Sequence, residues 1–191
     1  TPDPEPQVLA FDVATATLLA ADPVTQQATV LARLPAGTAF EGMTFHAPTG
    51  GLLAADAASG RLVALGPAWD ARPIGEPGAF GAASLRALAY DPVRDVLYGI
   101  DGAQERLVVV DPATSEVREP APGAGPLWFS TVEALAFDAD TGTLLAVDRS
   151  TRSLVEVDPT NGSANRFATV PCSAVTDMVA VPGTQVLLLM D

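Results

Sequence analysis

Residues 84–119 read SLRALAYDPVRDVLYGIDGAQERLVVVDPATSEVRE, and this stretch decides the fold. Leu85–Tyr90 alternates large and small side chains and ends in the turn pair Asp91-Pro92. Val96–Ile100 is a second apolar run, closed by Asp101-Gly102, and Leu107–Val110 a third, closed by Asp111-Pro112. A more polar run covers Glu116–Glu119. Runs this short, rich in β-branched residues and punctuated by Asp, Pro and Gly, are strands joined by hairpins and not helices. In order they are strands A, B, C and D.

The unit repeats. Residues 87–112 match 134–159 without a gap, and 42–67 fit the same frame. Strand A carries Phe45, Tyr90, Phe137 and Val181 at one position, spaced 45, 47 and 44 residues apart, the period of a propeller blade. Residues 8–30 align on 97–119, which gives the first copy strands B, C and D but no A. The last copy holds A (about 176–181) and B (about 185–190). The expectation is an all-β propeller of 17 strands in groups of three, four, four, four and two. That is about four blades of four antiparallel strands with incomplete terminal blades. A Pro-rich lead-in covers 1–6, a partial blade 7–34, and blades about 40–84, 85–130 and 131–174, with a partial blade at 175–191. A blade does not bury both faces alone, so blades must stack in a ring. The favoured arrangement is a self-closed ring in which the C-terminal strand A completes the first sheet. The alternative is a piece of a five- to seven-bladed ring.

The pattern L-A-F/Y-D-x-x-T-G-x-L-L/Y-A-x-D, clearest at 135–148 and 88–101 and looser at 43–56, resembles the superfamily of repeat propellers that includes the NHL, YVTN and gluconolactonase-like proteins. The resemblance covers nearly the whole chain. It implies the fold and leaves function open, because such folds host hydrolases, binding modules and scaffolds.

Net charge is −13, and all ten basic residues are Arg. Without Lys there is no Schiff-base chemistry, and without a basic stripe no nucleic-acid backbone is expected as a partner. No apolar run is long enough to span a membrane as a helix. The sequence opens on TPDPEP, as a processed or trimmed protein would. The composition suggests a GC-rich prokaryote and an extracellular or periplasmic location. Cys172 is the single cysteine, so no intrachain disulfide forms, and it has no cationic neighbour in sequence to activate it.

The sharpest constellation is a ring of charge. Glu41, Arg86, Glu133 and Asp177 each stand four residues before the repeated strand A position. Strand A is innermost in a propeller, so this places three carboxylates and one Arg at a mouth of the channel. Two roles are expected. Glu41, Glu133 and Asp177 suit Ca²⁺, a cation that takes oxygen ligands. Alternatively the ring is a solvated rim with Arg86 pairing a carboxylate. Glu41-Gly42 also resembles the E-G start of the first inner strand in gluconolactonase-like propellers, which implies a metal-ligand glutamate there. That family's asparagine ligands have no counterpart in this chain.

Aromatics assigned to the D-to-A connections (Phe40, Trp69, Phe80, Trp128, Phe129) offer ligand contacts or plugs between blades. The plug reading is favoured for Phe80 and Phe129. The candidate ligand-binding set is Phe40, Glu41, Arg86, Trp128, Glu133 and Asp177. Asp12, Asp56, Asp101 and Asp148 end strand B, and Asp22, Asp111 and Asp158 end strand C, where Asp bonds the turn backbone. Asp138-x-Asp140-x-Gly142 partly matches a calcium loop but lacks its distal Glu. His46 is the sole histidine, sits in a turn slot and has no G-x-S-x-G elbow beside it, which argues against a serine-hydrolase triad.

These features favour a non-enzymatic binding or assembly module for a protein or a small polar or carbohydrate ligand. The alternative is a metal-dependent hydrolase or lactonase at the channel mouth. A second alternative is a structural subunit that self-associates through residues 185–191.

Overall fold

The computed structural model describes residues 8–22, 25, 27–122, 127, 131–171, 175, 177–181 and 186–190. Strands β1 (Val8–Asp12), β2 (Thr17–Ala21) and β3 (Ala28–Arg33) form a three-stranded sheet. Three four-stranded blades follow in chain order: β4 (Phe40–His46), β5 (Gly51–Asp56), β6 (Arg61–Leu65) and β7 (Ala71–Pro73); β8 (Leu85–Asp91), β9 (Val96–Asp101), β10 (Arg106–Val110) and β11 (Val117–Arg118); β12 (Val132–Asp138), β13 (Thr143–Asp148), β14 (Ser153–Val157) and β15 (Ala164–Thr169). A hairpin of β16 (Asp177–Val181) and β17 (Val186–Met190) ends the series. Among the described residues the one helical piece is a 3₁₀ turn at Ala47–Thr49. The fold is a β-propeller of about four blades, three of them complete, with a three-stranded sheet before them and a two-stranded hairpin after them.

The apolar clusters are the wedges between blades. On β8, Leu88 and Tyr90 join Leu53 and Leu62 of the preceding blade. The alternate residues Ala87 and Ala89 meet Leu135 of the following one. On β12, Leu135 again faces backward, while Ala134 and Ala136 receive Met178 of β16. Each interface near the axis therefore sets large side chains against small ones, where the wedge is narrowest. Both faces of a central blade are covered, so a strand such as Gly51–Asp56 is apolar throughout and does not alternate with polar residues. Gly42 carries this to its limit, because a Cβ there would lie 2.8 Å from the Ala87 Cα. The repeated strand A position is buried at Tyr90, partly covered at Phe137 and 58% exposed at Phe45. Phe45 faces the sheet that has no strand A.

Polar staples add to the packing. The buried Ser115 hydroxyl donates to Ile74 O (2.8 Å) and accepts from Leu62 N (3.0 Å), tying the second complete blade to the first. Tyr90 N likewise donates to Thr44 Oγ1 at 3.3 Å.

The ring's closure differs from the expectation. Among the described residues β16 pairs with β17 and β1 with β2, and no ladder joins β16 to β1. Strand A of the last hairpin therefore does not complete the first sheet, and β16 and β17 each keep one unpaired edge among the described residues. The fourth strand of the second complete blade is shorter than the expected Glu116–Glu119, β11 covering only Val117–Arg118.

Candidate functional site at the channel mouth

Each charged residue of the ring in a complete blade is the extra residue of a β-bulge. Phe40 pairs with Asp56 and Gly42 with Ala55, which leaves Glu41 unpaired between them. Arg86 and Glu133 are skipped in the same way, between Leu85 and Ala87 and between Val132 and Ala134. A bulge bends the strand and re-aims one side chain. Here it turns the charge out of an apolar wedge that would otherwise receive it.

The three bulged charges meet three different partners. Ala57, Gly102 and Arg149 are equivalent, each sixteen residues after its bulge. Their backbone N–H groups donate to Ala39, Ser84 and Thr131 carbonyls at 3.0, 2.8 and 3.0 Å. Arg149 donates to both oxygens of Glu133, at 3.1 and 3.2 Å. Arg86 lies over Gly102, where a Cβ would collide with its guanidinium. It makes no ion pair among the described residues, so the expected pairing of Arg86 with a carboxylate is not found. Glu41 is exposed, the residue equivalent to Arg149 in its blade is Ala57, and it has no ion pair among the described residues.

Asp177 stands in a regular ladder opposite Met190, without a bulge. Burial pushes its carboxyl up to about 6, although the Met178 N–H, 2.7 Å from Oδ1, favours the ionised form.

A cleft of about 300 Å³ opens here, lined by Ala10, Phe11, Val13, Phe40, Glu41, Gly42, Met43 and Asp177. It joins the first sheet, the inner strand of the first complete blade and the start of β16. Of the predicted set it gathers Phe40, Glu41 and Asp177, and leaves Arg86 and Glu133 outside. Phe40 is buried, its ring 4.6 Å from that of Phe11 at 40°, so it is the cleft's floor and not a rim contact. Phe11, Val13 and Met43 were not foreseen. Among the described residues no three His, Cys, Asp or Glu side chains lie close enough together to hold a metal. Trp128, Phe129 and Cys172 lie outside the described residues.

The remaining candidates have structural roles. Phe80 is buried in the wedge between the first two complete blades. Trp69 is not in a D-to-A connection: it lies in the β6–β7 hairpin at φ 62°. Asp12, Asp22, Asp111, Asp138 and Asp158 accept from backbone N–H groups of their own turns. Asp56 and Asp101 also accept from Ala39 N and Ser84 N, and Asp148 from the Thr131 hydroxyl (2.8 Å), so each braces the start of strand A. His46 is buried, with Nδ1 2.9 Å from Thr49 Oγ1 and its ring edge-on to Tyr90 at 4.7 Å. Burial lowers its pKa, partly offset by Asp95, to which Tyr90 Oη donates at 2.7 Å. It is a core histidine between two blades.

No family model matches the sequence, and no curated protein matches it. Solved structures do. A protein of unknown function from Bacteroides thetaiotaomicron VPI-5482 superposes with a TM-score of 0.61 at 16% identity, over 86% of this chain and 41% of its own. A catalytically inactive virginiamycin B lyase from Staphylococcus aureus, with quinupristin, gives 0.56 at 13%, over 99% and 67%. A chain of a nidogen/laminin complex gives 0.66 at 11%, over 90% and 64%. The chain thus spans from 41% to 67% of these structures' own lengths. At such identities the likeness is one of fold. The protein has a β-propeller fold.

Proposed function

We propose that the chain is a non-enzymatic binding module whose working surface is the channel mouth between the first sheet, β4 and β16. The observation that carries this is the cleft itself, with an apolar floor and two carboxylates. Its volume is at the lower end of small-ligand sites. Partners in this reading are a small polar or carbohydrate ligand or a segment of another protein, met outside the cell or in the periplasm. Among the described residues no helix is long and apolar enough to cross a membrane. Against hydrolysis stands His46, the sole histidine, already engaged by Thr49 and Tyr90. A calcium reading of Glu41, Glu133 and Asp177 requires Glu133 to release Arg149.

The test is calorimetric screening of amines, sugars and short peptides against the wild type and Val13→Trp. Val13 lines the cleft and is 54% exposed, so Trp there fills the cleft without entering the core. Binding is expected in the wild type and lost in the variant. Hydrolysis of a lactone panel that vanishes in Glu133→Gln would replace this reading with the hydrolase one.

A second reading has its own observation. Among the described residues β1 and β17 each pair on one side only, and open strand edges invite a strand from another molecule. Deleting 185–191 would then convert an oligomer to monomer by light scattering, whereas an unchanged mass eliminates the idea.

A further inference from the structure

Glu41, Arg86 and Glu133 occupy one position of the repeat and settle their charges in three ways. Glu133 takes the guanidinium of Arg149, Arg86 lies over Gly102, and Glu41 has Ala57, a residue without charge, at the equivalent position. The matching backbone bonds of residues 57, 102 and 149 make this a like-for-like comparison. Of the two carboxylates at this position, Glu41 is the one without an ion pair among the described residues, and it opens onto the cleft.

We infer that the cleft binds a guanidinium or ammonium group carried on an apolar body, with Glu41 receiving the cation that Arg149 supplies to Glu133. The inference rests on the binding reading above and names its ligand class. Asp177 sets a second carboxyl in the same cleft, and among the described residues no arginine lines it. The rings of Phe11 and Phe40 offer the ligand's body an apolar floor, and ring faces also favour cations. A net charge of −13 draws cations toward the molecule as a whole. A cleft of about 300 Å³ suits a ligand of one ring and one charged group.

The experiment titrates the wild type, Glu41→Gln and Ala57→Arg with phenethylguanidine, its neutral isostere phenethylurea and a capped Phe-Arg dipeptide, by calorimetry at fixed ionic strength. Ala57 is exposed, and Ala57→Arg gives Glu41 the internal cation that Glu133 has. Phenethylguanidine is expected to bind about tenfold tighter than the urea, the scale of one charged hydrogen bond. Glu41→Gln is expected to remove that advantage, and Ala57→Arg to abolish binding while keeping the unfolding midpoint. A dipeptide that binds tighter than phenethylguanidine identifies a polypeptide arginine as the source, and the reverse order a free small molecule. Equal affinity for guanidine and urea, or a guanidine affinity that survives Glu41→Gln, overturns the inference. If a neutral sugar binds the wild type and Val13→Trp abolishes it, while the guanidine does not bind, only the ligand class is wrong. If nothing from the calorimetric screen, guanidine and sugars included, binds, the binding reading falls with it.

Discussion

At the residue scale, the aspartates that end strand B form a series with one defect. Asp12, Asp56 and Asp148 each receive a hydroxyl on Oδ2 from the residue three positions on: Thr15, Ser59 and Thr151. Asp101 has Gln104 there, and its buried Oδ2 makes no hydrogen bond among the described residues, with Arg106 Nε 3.8 Å away. Gln104→Thr should supply the missing donor and stabilise the fold by about 1 kcal/mol, read from the urea midpoint. An unchanged or lowered midpoint would contradict this. Asp177 gives the second prediction. Its folded pKa, about 6, lies above the ordinary carboxyl value of 3.8. Between those values the folded state holds a proton that the unfolded state has lost, so stability falls as pH rises through that window and the deficit is complete above about 6. Relative to Asp177→Asn, the wild type should lose on the order of 1–3 kcal/mol between pH 4 and 7, toward the low end because Asp177 is partly open to solvent. Parallel stability–pH profiles for the two proteins would refute it. The aspartates' turn role was legible from their Pro, Gly and hydroxyl neighbours. Their second bond, to the start of strand A, was not, because it depends on pairing across the blade.

At the element scale, the strand A bulge turns a repeated charged residue into a feature of the channel mouth. The sequence shows that charge recurring four positions before the ring residue. It does not show the bulge, since a bulge is a property of two strands in register and not of one. The same limit hid the outcome at Asp177, where the β16–β17 ladder runs without a skip. Trp69 was misplaced for a related reason: Gly66-Pro67 and Asp70 form a tight hairpin that hides β7, only three residues long. The close approach of inner strands β4 and β8 gives the third prediction. Gly42→Ala sets a Cβ 2.8 Å from the Ala87 backbone, where no flexible side chain can yield. It should destabilise the protein by about 1–3 kcal/mol in chemical denaturation, as overpacking does. A loss below about 0.5 kcal/mol would mean that the strands part freely.

At the scale of the whole molecule, the strand groups three, four, four, four and two were legible because each blade repeats one pattern of large, small and turn residues. The large-on-small contacts at each wedge explain why the alternation in Leu85–Tyr90 was such a clear signal. How the ends meet was not legible, and the cleft depends on that meeting. Phe11 belongs to a sheet that has no strand A, so its ring reaches Phe40 of the next blade, and Asp177 arrives from the far end of the chain. The central claim is that ligands enter at this junction, and the methionines report on it. Met43 lines the cleft, whereas Met178 is buried between β12 and β16. With ¹³C-labelled methionine methyl groups, adding phenethylguanidine, or any other ligand found by the calorimetric screen, should move the Met43 resonance saturably and leave Met178 in place. A ligand that binds with Met43 unmoved would place the working surface elsewhere and contradict the account.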